Sequence, residues 1–209
     1  MPPQADTRSV CNDDLLPSPY TVARAKQYDM KSMLRIIEGP ALDTCPGATV
    51  VVAVHGAPDE VLRMLAAVRA YVQHAPPSPR VGAIIVGGIL DTGYNLNFHD
   101  PDFGKRVLPI LVAGTQLPFW SGSDDPSEIV ASTRAYDAAT ASISALGFLG
   151  LPGALEALQE LLRTPDLEAQ YNSATIRIEV LDAAQSAKYQ VENRKAGALP
   201  VRIVGGQGK

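Results

Sequence analysis

The sequence predicts an α/β fold: a three-layer sandwich with a parallel sheet, helices on both faces and a C-terminal helix. Three observations predict it. Residues 49–54 (TVVVAV) form a continuous, mostly β-branched apolar run, the pattern of a parallel strand buried on both faces. Residues 58–73 follow with Val61, Leu62, Leu65, Val68 and Val72 on one helical face. After the rigid connector at 76–79 (PPSP), residues 81–86 (VGAIIV) give a second buried run that ends in Gly87 and Gly88. Strand, helix, strand is a βαβ unit.

The remaining elements are placed around that unit. Residues 1–20, interrupted by Pro17 and Pro19, read as an irregular arm. From 21 to 37 the positions Val22, Ala25, Tyr28, Met33, Ile36 and Ile37 fall loosely at helical spacing, and Gly39 and Pro40 stop the pattern. Residues 107–112 predict a third strand after a long loop, and 138–146 read as a fourth strand or the end of a helix. Residues 152–191 predict one long helix or two, packing through Leu155, Leu158, Leu161 and Leu162. The organisation expected is an arm at 1–20, an α/β domain at 21–171 and a C-terminal helix and tail at 172–209. Function in such a sheet belongs in the loops at the carboxyl ends of the strands.

Bulk properties narrow the classes. The chain has 209 residues, 46% hydrophobic and 19% charged, with a net charge of -4. One core is the expectation at that length. The apolar runs fall well short of the roughly 20 residues of a membrane span. An acidic balance argues against a nucleic-acid partner. The sequence shows no P-loop and no full dinucleotide fingerprint. Cys11 and Cys45 match no metal spacing, and with no leader pattern in view the expectation is reduced thiols in a cytoplasmic protein.

The segment AVHGAPD at 53–59 resembles the S-A-H-R-x-P-D motif of the class I carboxyaminoimidazole ribonucleotide mutases and the related aminoimidazole ribonucleotide carboxylases. The run into Gly87 is similar to that family's strand before its glycine-rich loop, and His99-Asp100-Pro101 to the H-L-P that closes the loop. Over residues 109–143, Pro109, Gln116, Ser121, Gly122, Asp124, Ile129, Val130, Ala139, Thr140 and Ile143 coincide with the family pattern without gaps. The likeness covers roughly residues 50–171. It implies a flavodoxin-like sandwich assembled as a homo-octamer, with a small-molecule substrate, carbon dioxide or bicarbonate, no metal and no organic cofactor.

Carboxyl transfer on an aminoimidazole ribotide needs a proton shuttle near neutral pH, and imidazole suits it. The resemblance implies His55 as acid/base and His99 beside the pocket; a strand-end histidine bonded to backbone and a polar turn are their alternative readings. Gly87, Gly88 and Gly93 could close over a planar substrate, with Asp91 lining the pocket. Asp14, Gly56, Gln116 and Ser121 complete the implied substrate contacts, and Ser121, Gly122 and Asp124 also read as a structural cap ahead of Pro126 and Glu128.

The departures fall on substrate-contacting positions. Asp14 and Leu15 fit the end of the family's G-S-x-S-D phosphate loop, but its serines are gone and the extra carboxylate of Asp13 repels a phosphate dianion. Gly56 replaces the arginine after the histidine. The expectation is therefore a carboxylase, decarboxylase or carboxyl mutase acting on a heterocycle or other small carboxylated substrate. Its alternatives are the orthodox purine-biosynthesis mutase and a catalytically silent oligomeric homologue that serves as a binding or partner subunit.

Overall fold

The run at 49–54 lies inside a helix. The computed structural model describes residue 11, residues 28–98 and residues 100–195, and no described residue is in a β-strand. The parallel-sheet, flavodoxin-like sandwich is therefore not the fold; the described residues are all-α. Among residues 28–195 the described helices are α1 (Met30–Ile37), α2 (Gly47–His55), α3 (Pro58–His74), α4 (Val81–Gly88), α5 (Pro101–Gly114), α6 (Leu117–Ser121), α7 (Pro126–Ala131), α8 (Thr133–Leu149), α9 (Pro152–Leu162), α10 (Leu167–Gln170) and α11 (Ile176–Lys195). Two 3-10 turns, Leu42–Thr44 and Leu90–Tyr94, join α1 to α2 and follow α4.

Each of the three expected strands is a helical stretch, and for the first, 49–54, the reason is burial on every side. A helix that is apolar all round is buried all round, and over so few residues its sequence matches a doubly covered strand. In α2 every residue from Ala48 to Val54 is buried, so no polar face betrays the helical period. Gly56 ends the helix, its N–H donating to Val52 O. Residues 81–86 belong to α4, where Gly87 and Gly88 are helical rather than part of a loop. Their missing side chains let α4 approach its neighbours: a Cβ on Gly87 would sit 2.6 Å from Thr49 Oγ1, and one on Gly88 2.7 Å from Val68 Cγ2. Residues 107–112 are the second half of α5, which opens on an Asp100 cap with Pro101 in its first turn.

Helix α8 holds the molecule together, packing against α4, α5, α6, α9, α11 and the turn Leu90–Tyr94. The stretch at 138–146 left open between strand and helix is its middle. Ala138, Ala139, Ala141, Ser142, Ala145 and Gly147 are all buried, and small residues admit close neighbours on every side. A Cβ on Gly147 would lie 3.0 Å from Ala183 O in α11, and one on Gly93 2.5 Å from Ala145 O. Ser132 caps the start of α8 through Ala135 N–H, and Gly150 ends it at φ 61° in the left-handed region that glycine tolerates.

The expected reduced thiols are instead paired: Cys11 and Cys45 form a disulfide, with Cα atoms 4.1 Å apart. Cys45 sits between the turn Leu42–Thr44 and α2, so the bond ties residue 11 to the entrance of the most buried helix. Among the described residues no helix is long and apolar enough to cross a membrane.

Candidate functional site

The implied site residues divide between two regions. Asp14 and His99 lie outside the described residues. His55 and Gly56 occupy the C-terminal end of α2 rather than a strand end. Helix ends leave carbonyls without intrahelical partners, and residues 95–97 satisfy them here. Asn95 Nδ2 donates to Ala53 O at 2.7 Å and to Gly56 O at 3.1 Å, Leu96 N–H to Val54 O at 2.8 Å, and Asn97 Nδ2 to His55 O at 2.9 Å. Asn95 and Asn97 are therefore helix-capping residues, a role the sequence reading did not assign. Asp91 is buried in the turn that leads to them.

Gln116 and Ser121 sit elsewhere, at the two ends of α6. Ser121 Oγ turns back onto its own loop, donating to Ser123 O at 3.2 Å, and Asp125 rather than Ser121 or Asp124 caps α7 through Ser127 N–H. Gly122 lies against Gln73 near the end of α3, whereas Gly56 lies against Val61 near its start. The rise of 1.5 Å per residue sets those two ends of α3 about 18 Å apart. One small substrate cannot touch both groups.

The helices do build a groove, between α3, α5 and α6. Its volume is about 430 Å³, and its walls are Leu62, Leu65, Ala66, Arg69, Ala70 and Gln73 of α3 with Ile110 of α5 and Phe119 of α6. Volumes of roughly 300–1,000 Å³ are those of small-molecule sites. The sequence explains the shape. The α3 positions recur at three and four residues, a second stripe beside the core stripe Val61, Met64, Leu65, Val68 and Val72. Ala66 and Ala70 are too small to fill that stripe.

Phe119 is placed by the residue after it. Trp120 is buried, donates from Nε1 to Gly114 O at 2.6 Å and meets Phe119 edge-on with ring centroids 4.9 Å apart. The indole fits because position 114 is glycine: a Cβ there would come within 3.0 Å of Trp120 and 2.7 Å of Ser142 Oγ. Trp120 thus pins α6 and leaves the Phe119 ring at the groove.

Arg69 supplies the polar end. Its Nε donates to Phe119 O at 2.7 Å while its guanidinium carbon lies 4.1 Å from the centroid of the Phe119 ring. Gln73 Nε2 donates to the same carbonyl at 3.4 Å. Four other arginines of the described residues meet carboxylates, Arg63 with Glu38, Arg106 with Asp59 and Asp102, Arg163 with Glu160 and Arg177 with Glu168, while Arg134 donates to Ala75 O at 2.6 Å. Among the described residues no carboxylate meets Arg69, and no acidic side chain lines the groove.

No family model matches the chain, and no curated protein or solved structure matches it either. Geometry alone carries the functional reading. Among the described residues no cluster of histidine, cysteine, aspartate and glutamate could hold a metal ion.

Proposed function

We propose that this chain is a small-ligand-binding helical module whose site is the groove between α3, α5 and α6. The observation that carries this reading is the pairing of an apolar floor, Leu62, Leu65, Ala66 and Ile110, with one guanidinium held by Phe119 at the other end. Largely apolar concavities with a few fixed polar groups are the usual form of such sites. Holding Arg69 in place before the ligand arrives lowers the ordering cost of binding.

The carboxyl-transfer reading drew on a strand-end histidine and a glycine loop at sheet edges, and both positions are helical. Its binding-subunit alternative and its small carboxylated ligand remain compatible with the groove.

Trp120 is the sole tryptophan and touches Phe119, so its emission reports on the groove. Titration with octan-1-ol is expected to change that emission saturably. Ala70→Phe, which adds a ring to the groove from an exposed helical position, is expected to abolish the change without altering the far-ultraviolet dichroism. An unchanged titration in Ala70→Phe would overturn the assignment.

A further inference from the structure

We infer that the ligand of this groove is an amphipathic monocarboxylate with an unbranched apolar tail, its head on Arg69 and its tail along Leu65 and Leu62. The inference rests on the groove being the binding site, and it adds the ligand's chemical class.

The head follows from the unused donors of Arg69. A guanidinium presents a planar fork of N–H groups that matches two carboxylate oxygens. The Nε hydrogen is taken by Phe119 O, and the ring of Phe119 lies against the guanidinium. That leaves Nη1 and Nη2 without an acceptor among the described residues, beside a groove without acidic lining. A carboxylate there meets a cation already oriented and has no like charge to displace. A cationic ligand head would meet repulsion.

The tail follows from the groove's lining. Leu62 to Gln73 spans eleven helical rises, about 16 Å. Along that length Leu62, Leu65, Ala66 and Ala70 of α3 face Ile110 of α5, an apolar strip that suits a single extended chain of methylene groups. The polarity is ordered in the same direction, from Arg69, Gln73 and Phe119 O at one end to Leu62 and Leu65 at the other.

Isothermal titration calorimetry of the intact chain with octanoate, octan-1-ol and octylammonium at neutral pH tests the head and the tail separately. Octanoate is expected to bind at least tenfold more tightly than octan-1-ol, and octylammonium most weakly. In Arg69→Gln the advantage of octanoate over octan-1-ol disappears, and an unchanged far-ultraviolet dichroism shows that the variant is folded. Arg69→Lys keeps the charge without the fork and retains part of the advantage. Equal affinity for octanoate and octan-1-ol in the native chain overturns the carboxylate head but leaves the apolar groove. Failure of all three to bind overturns both. Tighter binding of a leucine- and glutamate-rich helical peptide, competing with octanoate, overturns the small-molecule class in favour of a protein partner.

Discussion

Arg69 and Phe119, fifty positions apart in sequence, make two contacts at once: Nε to carbonyl oxygen at 2.7 Å and guanidinium to ring at 4.1 Å. The first fixes the rotation of the guanidinium and the second fixes its plane. Phe119→Leu keeps the carbonyl and most of the apolar volume but removes the ring quadrupole, which contributes roughly 0.5–1 kcal/mol at partly exposed sites. The affinity for octanoate relative to octan-1-ol is expected to fall about two- to fivefold, measured by calorimetry on both chains.

Gly114 decides whether Trp120 can seat. A methyl group there would press on both the indole and Ser142 Oγ, and overpacking of this kind costs about 1–3 kcal/mol. Gly114→Ala is expected to lower the unfolding free energy from denaturant titration by that amount and to shift Trp120 emission to the red as the indole is displaced. An unshifted spectrum with native stability would show that α6 is not pinned in this way.

Asn95 closes α2 from a distance of forty residues in sequence. Its side chain is buried, and its amide donates to Ala53 O and Gly56 O while Oδ1 accepts Asn97 N–H at 2.8 Å. Asn95→Ala leaves the Ala53 carbonyl without its side-chain donor, while Asn97 Nδ2 still reaches Gly56 O at 3.0 Å, a loss of about 1–3 kcal/mol. Asn95→Asp, which turns a donor into a second acceptor facing those carbonyls, is expected to cost more. Thermal unfolding of the three chains gives the order native, alanine, aspartate; aspartate at or above alanine would contradict the capping role.

Asp43 ties the turn Leu42–Thr44 to α3 and to the segment before α4. Ser78 Oγ and Tyr71 OH both donate to its Oδ1 at 2.5 Å. The Ser78 hydroxyl first, then the Tyr71 hydroxyl, hold its carboxyl below the usual aspartate value. A carboxylate depressed in the fold contributes stability that is complete above its unfolded pKa, about 3.9, and is lost as pH falls through the lower folded value. Asp43→Asn is therefore expected to be less stable than the native chain at pH 7, with the difference in midpoint shrinking by pH 3. A difference that is constant with pH would remove the carboxylate from the account.

The amphipathic helix at 58–73 was legible because its outer face is wet: the alternation of Val61, Leu65, Val68 and Val72 with charged positions carries the period, and α3 differs only by one residue at its end. The leucines of 152–162 show α9 for the same reason. The period vanishes in α2, where every position from Ala48 to Val54 is apolar or threonine and buried, and β-branched content then tips the reading toward a strand. Alanine-rich α8 was ambiguous because its small residues serve several neighbours rather than one face. The site was hidden for a different reason. Arg69 is unremarkable in its own helix, and its meaning comes from Phe119, whose position depends on Trp120 filling the space at Gly114. The smallness of Ala66 and Ala70 beside Leu62 and Leu65 was the local signal that a second stripe on α3 lay unfilled.

The central claim is that the ligand sits between α3, α5 and α6 and not beside His55. Backbone amide shifts of isotopically labelled protein titrated with octanoate test it most directly. The account predicts saturable shifts concentrated at residues 62–73, Ile110, Phe119 and Trp120, with residues 53–56 and 95–97 unmoved. Shifts centred on His55, Gly56 and the 95–97 segment, with the groove residues silent, would contradict it.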